Sequence, residues 1–188
     1  MDDDDNLCVQ KYRAGETESF GLLYDKYVRK IYRYVYYKVF DKEAVEDIVS
    51  DVFLKALKKI QSFDSVKGSF SAWIYRIARN SVIDYYRTLK QTRDIEDIFD
   101  LGFDERGAER LDAEVTLKKV SEYLKMLSPK QREIVVLRVW EEMPYRQIAA
   151  IVGGSEESVK MAFSRAVRNI REKFGPLGAA AFLMIIGW

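Results

Sequence analysis

Apolar residues recur at helical spacing along most of this chain, and the cleanest run lies between Lys42 and Ile60. There Val45, Ile48, Val49, Val52, Phe53, Ala56, Leu57 and Ile60 follow the i, i+3, i+4, i+7 rule of an amphipathic helix. The opposite face carries Glu46, Asp47, Ser50, Asp51, Lys55 and Lys58, with Leu54 as an apolar misfit among them. A preceding helix is predicted from Glu16 to Val39, where Phe20, Leu23, Tyr24, Tyr27, Val28, Ile31, Val35 and Val39 recur at helical spacing and the tyrosines fill core and rim. A third helix is predicted from near Ser69 to about Leu89. Phe70, Trp73, Ile74, Ile77 and Ser81 form its core side, whereas Ala72, Tyr75, Arg76, Arg79, Ile83, Tyr86 and Arg87 fall opposite. The acidic start, MDDDDN, is expected to fray or to favour the N-terminus of a following helix.

A second helical module is predicted from Val115. One helix runs to about Leu127, and Ser128-Pro129-Lys130-Gln131 then supplies an N-cap, a first-turn proline and a capping-box partner. That helix is expected to reach about Glu142. Pro144 opens the next, Tyr145 to Val152, Gly153-Gly154 makes a turn, and Ser155 caps a last helix to about Phe174. A short helix, a glycine turn and a longer basic helix make a helix-turn-helix. In the longer helix Val159, Ala162, Phe163, Ala166 and Ile170 share one face, and Lys160, Met161, Ser164, Arg165, Arg168 and Arg171 the other. Gly175-Pro176 is expected to stop it. The apolar run Ala179 to Ile186 is too short to span a bilayer and is expected to pack on the protein or on a partner, with loose membrane association as the alternative.

Charge changes this picture more than composition does. The 188 residues carry 31 Lys+Arg against 30 Asp+Glu, a formal net charge of +1, but the signs are segregated. Between Lys67 and Arg93 six bases meet one acid. Between Asp94 and Glu114 nine acids meet two bases, and between Lys160 and Lys173 five bases meet one acid. Two basic modules around an acidic connector suit a polyanion partner. On the helix after Ser69, arginines interleaved with tyrosines suit strand-separated nucleic acid, since guanidinium neutralises phosphate and aromatic faces stack on unpaired bases. The same face also fits a solvated basic surface whose tyrosines fold back onto the protein. Leu54, framed by Asp47 and Asp51, suits a basic and partly apolar partner helix.

There is no histidine and one cysteine, Cys8. Histidine-based triads, His/Cys zinc sites and disulfide frameworks drop out, and Cys8 reads as a small packing residue in a reducing compartment. The absent phosphate-binding glycine loop and the lack of a convergent carboxylate set argue against an enzyme. No metal, cofactor or small-molecule substrate is expected, and the Asp47/Asp51 pair reads as structural or partner-binding rather than metal-holding.

In this order EDIVSDVFLKAL, FSAWIYRIARNSVIDYYR, LSPKQREIVVLRVWEEMPYRQIA and SVKMAFSRAVRNIREKF resemble the bacterial RNA polymerase sigma factors of the extracytoplasmic-function branch, from Glu16 to Phe174. The resemblance implies an all-α fold of two small helical domains joined by an acidic flexible linker. A region 2-like domain would occupy residues 1–89, the linker 90–114, a region 4-like helix-turn-helix domain 115–174, and an apolar tail 175–188. It implies a non-catalytic transcription initiation factor, cytoplasmic, with core RNA polymerase (its β′ clamp helices and β subunit), promoter DNA and an anti-sigma factor as partners; the last could hold it at the inner face of the membrane.

Residue by residue, Asp47, Ser50, Asp51 and Leu54 match the core-polymerase surface. The connector Ser62 to Lys67, with Tyr75, Arg76, Arg79, Asn80 and Arg87, matches the region that opens the −10 element and captures an unstacked base. Ser158, Lys160, Met161, Ser164 and Arg165 match −35 readers, with Arg168 and Arg171 on phosphates. Ser50 stands where the family usually has Gln, Glu157-Ser158 where it has Gly-Thr, and Ala162 and Val167 where it commonly has Arg. Glu156 and Glu157 favour the helix dipole but repel phosphate. The competing expectation is a stand-alone helix-turn-helix regulator whose N-terminal half is a sensory or dimerisation domain.

Overall fold

The computed structural model describes residues 2–92 and 122–187, with side chains described for 3–89 and 122–173. The chain divides into two compact units, Met1–Gly102 and Phe103–Trp188. Every described element is helical.

The first unit contains α1 (Asp2–Arg13), α2 (Glu18–Val39), α3 (Lys42–Lys59), a 3-10 turn (Ile60–Ser62) and α4 (Phe70–Thr92). Between α2 and α3 the chain turns within two residues. Phe40 takes a left-handed conformation (φ 59°), and Asp41 accepts from the Ala44 N–H at 3.0 Å to cap α3. Ser69 Oγ likewise accepts from the Ala72 N–H at 3.2 Å at the start of α4. The core joins Leu23, Ile31 and Val35 of α2 to Val45, Val52 and Ala56 of α3 and to Phe70, Ile74 and Ala78 of α4.

Two expectations for this unit are corrected. The acidic start is no frayed cap. Asp5 is 2% exposed, accepts from the Tyr27 hydroxyl at 2.6 Å and pairs with the Lys26 ammonium, so α1 is pinned on α2. A carboxylate is stable at that depth only with such partners, which lie more than twenty positions away in the chain. Secondly, Tyr75 and Ala72 do not share an exposed face with the arginines. Tyr75 is fully buried, edge-on to Tyr34 with ring centroids 5.1 Å apart, and Ala72 is buried as well. The reason is that α4 packs against α1, α2 and α3 at once, so its apolar sector is wider than a single-sided helix needs.

The second unit contains a helical turn at residues 122–125, then α5 (Pro129–Val139), α6 (Tyr145–Val152) and α7 (Glu156–Gly187). The capping box at Ser128 and Gln131 forms in both directions. Arg132 ties the preceding turn to α5, donating from Nε to the Leu124 carbonyl at 2.8 Å. Leu124, Ile134, Leu137, Ile148, Val159, Ala166 and Ile170 make the core. Helix α5 ends at Val139 rather than near Glu142, and Glu142 itself adopts a positive φ of 51°. Nor does Gly175-Pro176 end α7, which continues to Gly187. Pro176 removes one ladder donor, but the alanine-rich run beyond it supplies strong helix formers. Most of the acidic connector and the predicted start of the second module at 115–121 lie outside the described residues, as do the side chains of the apolar tail. Among the described residues no helix is long and apolar enough to cross a membrane.

Candidate functional site

Three surfaces carry the residues singled out above. On α3, Leu54 is 56% exposed, with Asp47 and Ser50 exposed beside it and Leu57 partly exposed one turn on. Ser50 Oγ donates to its own helix, to the Glu46 carbonyl at 2.9 Å. Asp51 is engaged within the unit. Its Oδ2 lies 2.6 Å from Lys55 Nζ and accepts from the buried Ser81 hydroxyl of α4 at 2.9 Å, while Lys55 also donates to that hydroxyl at 3.0 Å. This three-residue junction locks α3 to α4 and satisfies a hydroxyl that would be costly to bury alone.

On α4, Arg76, Asn80, Ile83 and Arg87 form the outward stripe at i, i+4, i+7 and i+11, with Arg79 half-buried at its edge. Arg87 meets Asp84 at 3.3 Å. The loop leading into this helix is built on an Asx turn: Asp64 Oδ1 accepts the Val66 N–H at 3.0 Å. That hydrogen bond, and Lys67 with its ammonium 3.4 Å from Oδ2, hold the Asp64 carboxyl below its ordinary range. Val66 at the tip is 94% exposed, an unusual place for a branched apolar side chain, and Lys67 beside it is largely exposed. Behind the loop, Phe63 is buried against Phe70 and Trp73, with centroids 5.7 and 5.4 Å away. Tyr86, predicted on the outer face, is half-buried and donates its hydroxyl to the Lys38 carbonyl at 2.7 Å.

In the second unit α6 and α7 join through Gly153 and Gly154, whose φ values of 79° and 125° favour glycine. A Cβ on Gly154 would stand 2.9 Å from Ser158 Oγ. Lys160, Met161, Ser164, Arg165 and Arg168 are exposed along one side of α7, Met161 by 53%, and Ser158 is half-buried at its start. Lys160 pairs with Glu156 at 3.1 Å and lies 5.9 Å from the Tyr145 ring, which also carries Arg138 4.7 Å from its centroid. Arg168 reaches Glu172 at 3.7 Å. These surface pairs are weak enough to exchange for a phosphate. Among the described residues no three His, Cys, Asp or Glu side chains converge in a way that would hold a metal ion.

Residues 23–92 match the sigma-70 region 2 family, and residues 117–170 match sigma-70 region 4. The chain belongs to the sigma-70 family of RNA polymerase sigma factors, on its extracytoplasmic-function branch. Sequence relatives agree. This sigma factor is 30% identical over 170 residues to the RNA polymerase sigma factor NccH of Alcaligenes xylosoxydans xylosoxydans, covering 86% of this chain and 90% of NccH. It is 33% identical over 165 residues to the ECF RNA polymerase sigma factor BldN of Streptomyces coelicolor, a match spanning 86% of this chain but 62% of BldN's length. Among solved structures, the sigma factor RpoE of Bartonella quintana, crystallised with the anti-sigma factor NepR, superposes with a TM-score of 0.66 at 25% identity over 85% of this chain and 98% of RpoE.

The match to region 2 removes support for a sensory or dimerising N-terminal half. Of the residues predicted for this sigma factor's first unit, Leu54, Asp47 and Ser50 are brought together on α3, and Arg76, Asn80 and Arg87 on α4. Tyr75 lies beneath that stripe rather than in it. Val66 lies within the connector Ser62 to Lys67, but nothing in its local pattern marks it as the exposed tip. Arg13 carries no local signal at all, because its partners are carbonyl groups some fifty residues away, at Ile60, Gln61 and Phe63.

Proposed function

We propose that this sigma factor recruits core RNA polymerase to promoters and opens them through the three surfaces just described, without catalysing a reaction of its own. Leu54, with Asp47 and Ser50 at its rim, seats against a basic and partly apolar helix of the polymerase, the β′ clamp helices. Asp51 sets the edge of that surface through Lys55. Lys67, Arg76, Arg79, Asn80 and Arg87 hold the −10 element as its strands separate, and the buried Tyr75 supports their helix from within. Ser158, Lys160, Met161, Ser164 and Arg165 meet the −35 element in the major groove, with Arg168 on phosphate. The functional division is 1–89 for docking and opening, 90–114 as connector and 115–174 for the −35 element.

The observation that carries this reading is the Asp51–Lys55–Ser81 junction. It makes the exposed leucine of α3 and the arginine stripe of α4 parts of one body, so docking on polymerase aligns the helix that handles DNA. RpoE's complex with NepR supports an anti-sigma factor as a further partner, and the working compartment is the cytoplasm, where the polymerase is. The test is run-off transcription by purified bacterial core enzyme over a promoter library, with and without the protein. Initiation that requires the protein is expected, and its absence overturns the reading.

A further inference from the structure

Helix α1 lies outside the matched region 2 segment, which begins at residue 23, yet it is built into the unit at both ends. Near its start Asp5 is buried against Lys26 and Tyr27, and Val9 packs into the core. At its end Arg13 spreads a guanidinium over the close of α3. Its Nε donates to the Ile60 carbonyl at 3.2 Å. Its Nη2 donates to Ile60 at 2.7 Å, to Gln61 at 3.2 Å and to Phe63 at 2.5 Å.

The Ile60 carbonyl also accepts the Phe63 N–H at 3.2 Å, and the guanidinium adds charge-assisted hydrogen bonds to it and to the Gln61 and Phe63 carbonyls just past the C-terminus of α3, where the helix dipole favours a cation. The planar fork also fixes their relative orientation, which a lysine's single ammonium does not. Phe63 is the last of the three and the first residue of the segment leading to the exposed tip at Val66 and Lys67. The other end of that loop is fixed by Ser69 capping α4. Arg13 therefore holds one of the two stems of the loop while standing apart from its tip.

We propose that Arg13 is a positioning residue for promoter opening, and that α1 is a working part of the strand-separating apparatus. The proposal rests on the reading that the loop around Val66 and Lys67 meets the −10 element. With the stem clamped, the tip is presented in one orientation to the duplex. With the clamp removed, the tip samples several, and the ordering entropy falls due when the strands part. DNA whose −10 region is already open makes little of that demand.

The experiment uses the full chain, bacterial core enzyme and a promoter obtained from the run-off library. Arg13→Ala, Arg13→Lys and the loop variant Val66→Gly/Lys67→Ala are compared by core affinity, by permanganate reactivity of −10 thymines on duplex DNA, and by transcription from the same promoter with its −10 region pre-opened. Arg13→Ala is expected to keep core affinity within about twofold, to lower duplex opening about tenfold, and to recover to within about twofold on pre-opened DNA. Arg13→Lys should fall between wild type and alanine. Unchanged duplex opening in Arg13→Ala overturns the proposal. So does a loss that is equal on core binding and on both templates, which marks a merely structural arginine. Full opening by the loop variant overturns the reading of the loop itself, and is told apart because it does not involve Arg13.

Discussion

Replacing Leu54 by aspartate tests the docking surface without dismantling the fold. Leu54 is 56% exposed, so slightly less than half of its side chain is buried within the unit. Full burial of a leucine contributes about 1.5–3 kcal/mol, so the intramolecular loss is about 1 kcal/mol. That is small against the 5–15 kcal/mol, roughly, that holds a domain folded. On docking, the exposed half would be buried, for about another 1–1.5 kcal/mol. An aspartate at the same place forfeits that gain and must also shed hydration in an apolar seat, so the total is about 3 kcal/mol, or roughly a hundredfold in Kd. Leu54→Asn, which lacks the charge but also lacks the apolar surface, should weaken binding by a lesser factor. The assay is a fluorescence titration of labelled sigma factor with core polymerase, paired with thermal unfolding followed by circular dichroism. Core affinity equal to that of the wild type, in a variant that remains folded, refutes the assignment of this face.

Arg165→Ala is expected to cost about 1–3 kcal/mol in promoter discrimination while leaving core affinity unchanged; competition between promoter variants in run-off assays checks it, and equal loss of both would show α7 to be a packing helix. Gly154→Ala should lower the unfolding temperature, by about 1–3 kcal/mol of stability, because φ there is 125° and the new Cβ meets Ser158 Oγ at 2.9 Å. Differential scanning calorimetry gives the answer, and a transition unchanged from wild type would contradict the strain. Burial pushes the Tyr37 phenol up from 10.0 to about 12, with Tyr36 adding to the rise and Arg33 opposing it. The neutral form is favoured in the folded state, so its contribution is complete below pH 10 and is lost as the pH climbs through about 12. Tyr37→Phe should flatten the decline of stability across that window in denaturant titrations, and an identical slope would show that the phenol does not govern it.

The amphipathic period of α3, the capping box at Ser128 and the paired glycines at 153 and 154 were legible because each acts through neighbours within four residues along the chain. Such local chemistry specifies a helix, its cap or its turn wherever the segment is placed. The segregation of basic and acidic blocks was legible for the same reason, since charge along a chain is read directly. Leu54 stood out as an apolar side chain on a polar face, and it is indeed exposed.

Other features depend on partners that periodicity does not name. A helical period tells which residues share a face, but not how many neighbours cover it. The period of α4 places Tyr75 with the arginines, whereas the packing of that helix among three others seals it against Tyr34. Asp51 reads alike as a free surface carboxylate or a tethered one until Ser81, thirty positions on, is brought beside it. The acidic start reads as a fraying segment or a helix N-terminus until Asp5 meets Lys26 and Tyr27, and Arg13 shows no role until it meets the carbonyls just past α3. The sequence by itself determined the amphipathic runs of α2, α3 and α4, the capping box at Ser128, the glycine turn at 153 and 154 and the segregation of charge, because those are set by contacts within a turn or two. Only the tertiary structure decided which polar groups are spent inside the protein and which stay outside for a partner, because a buried charge or hydroxyl is tolerated only where distant residues complete its hydrogen bonds.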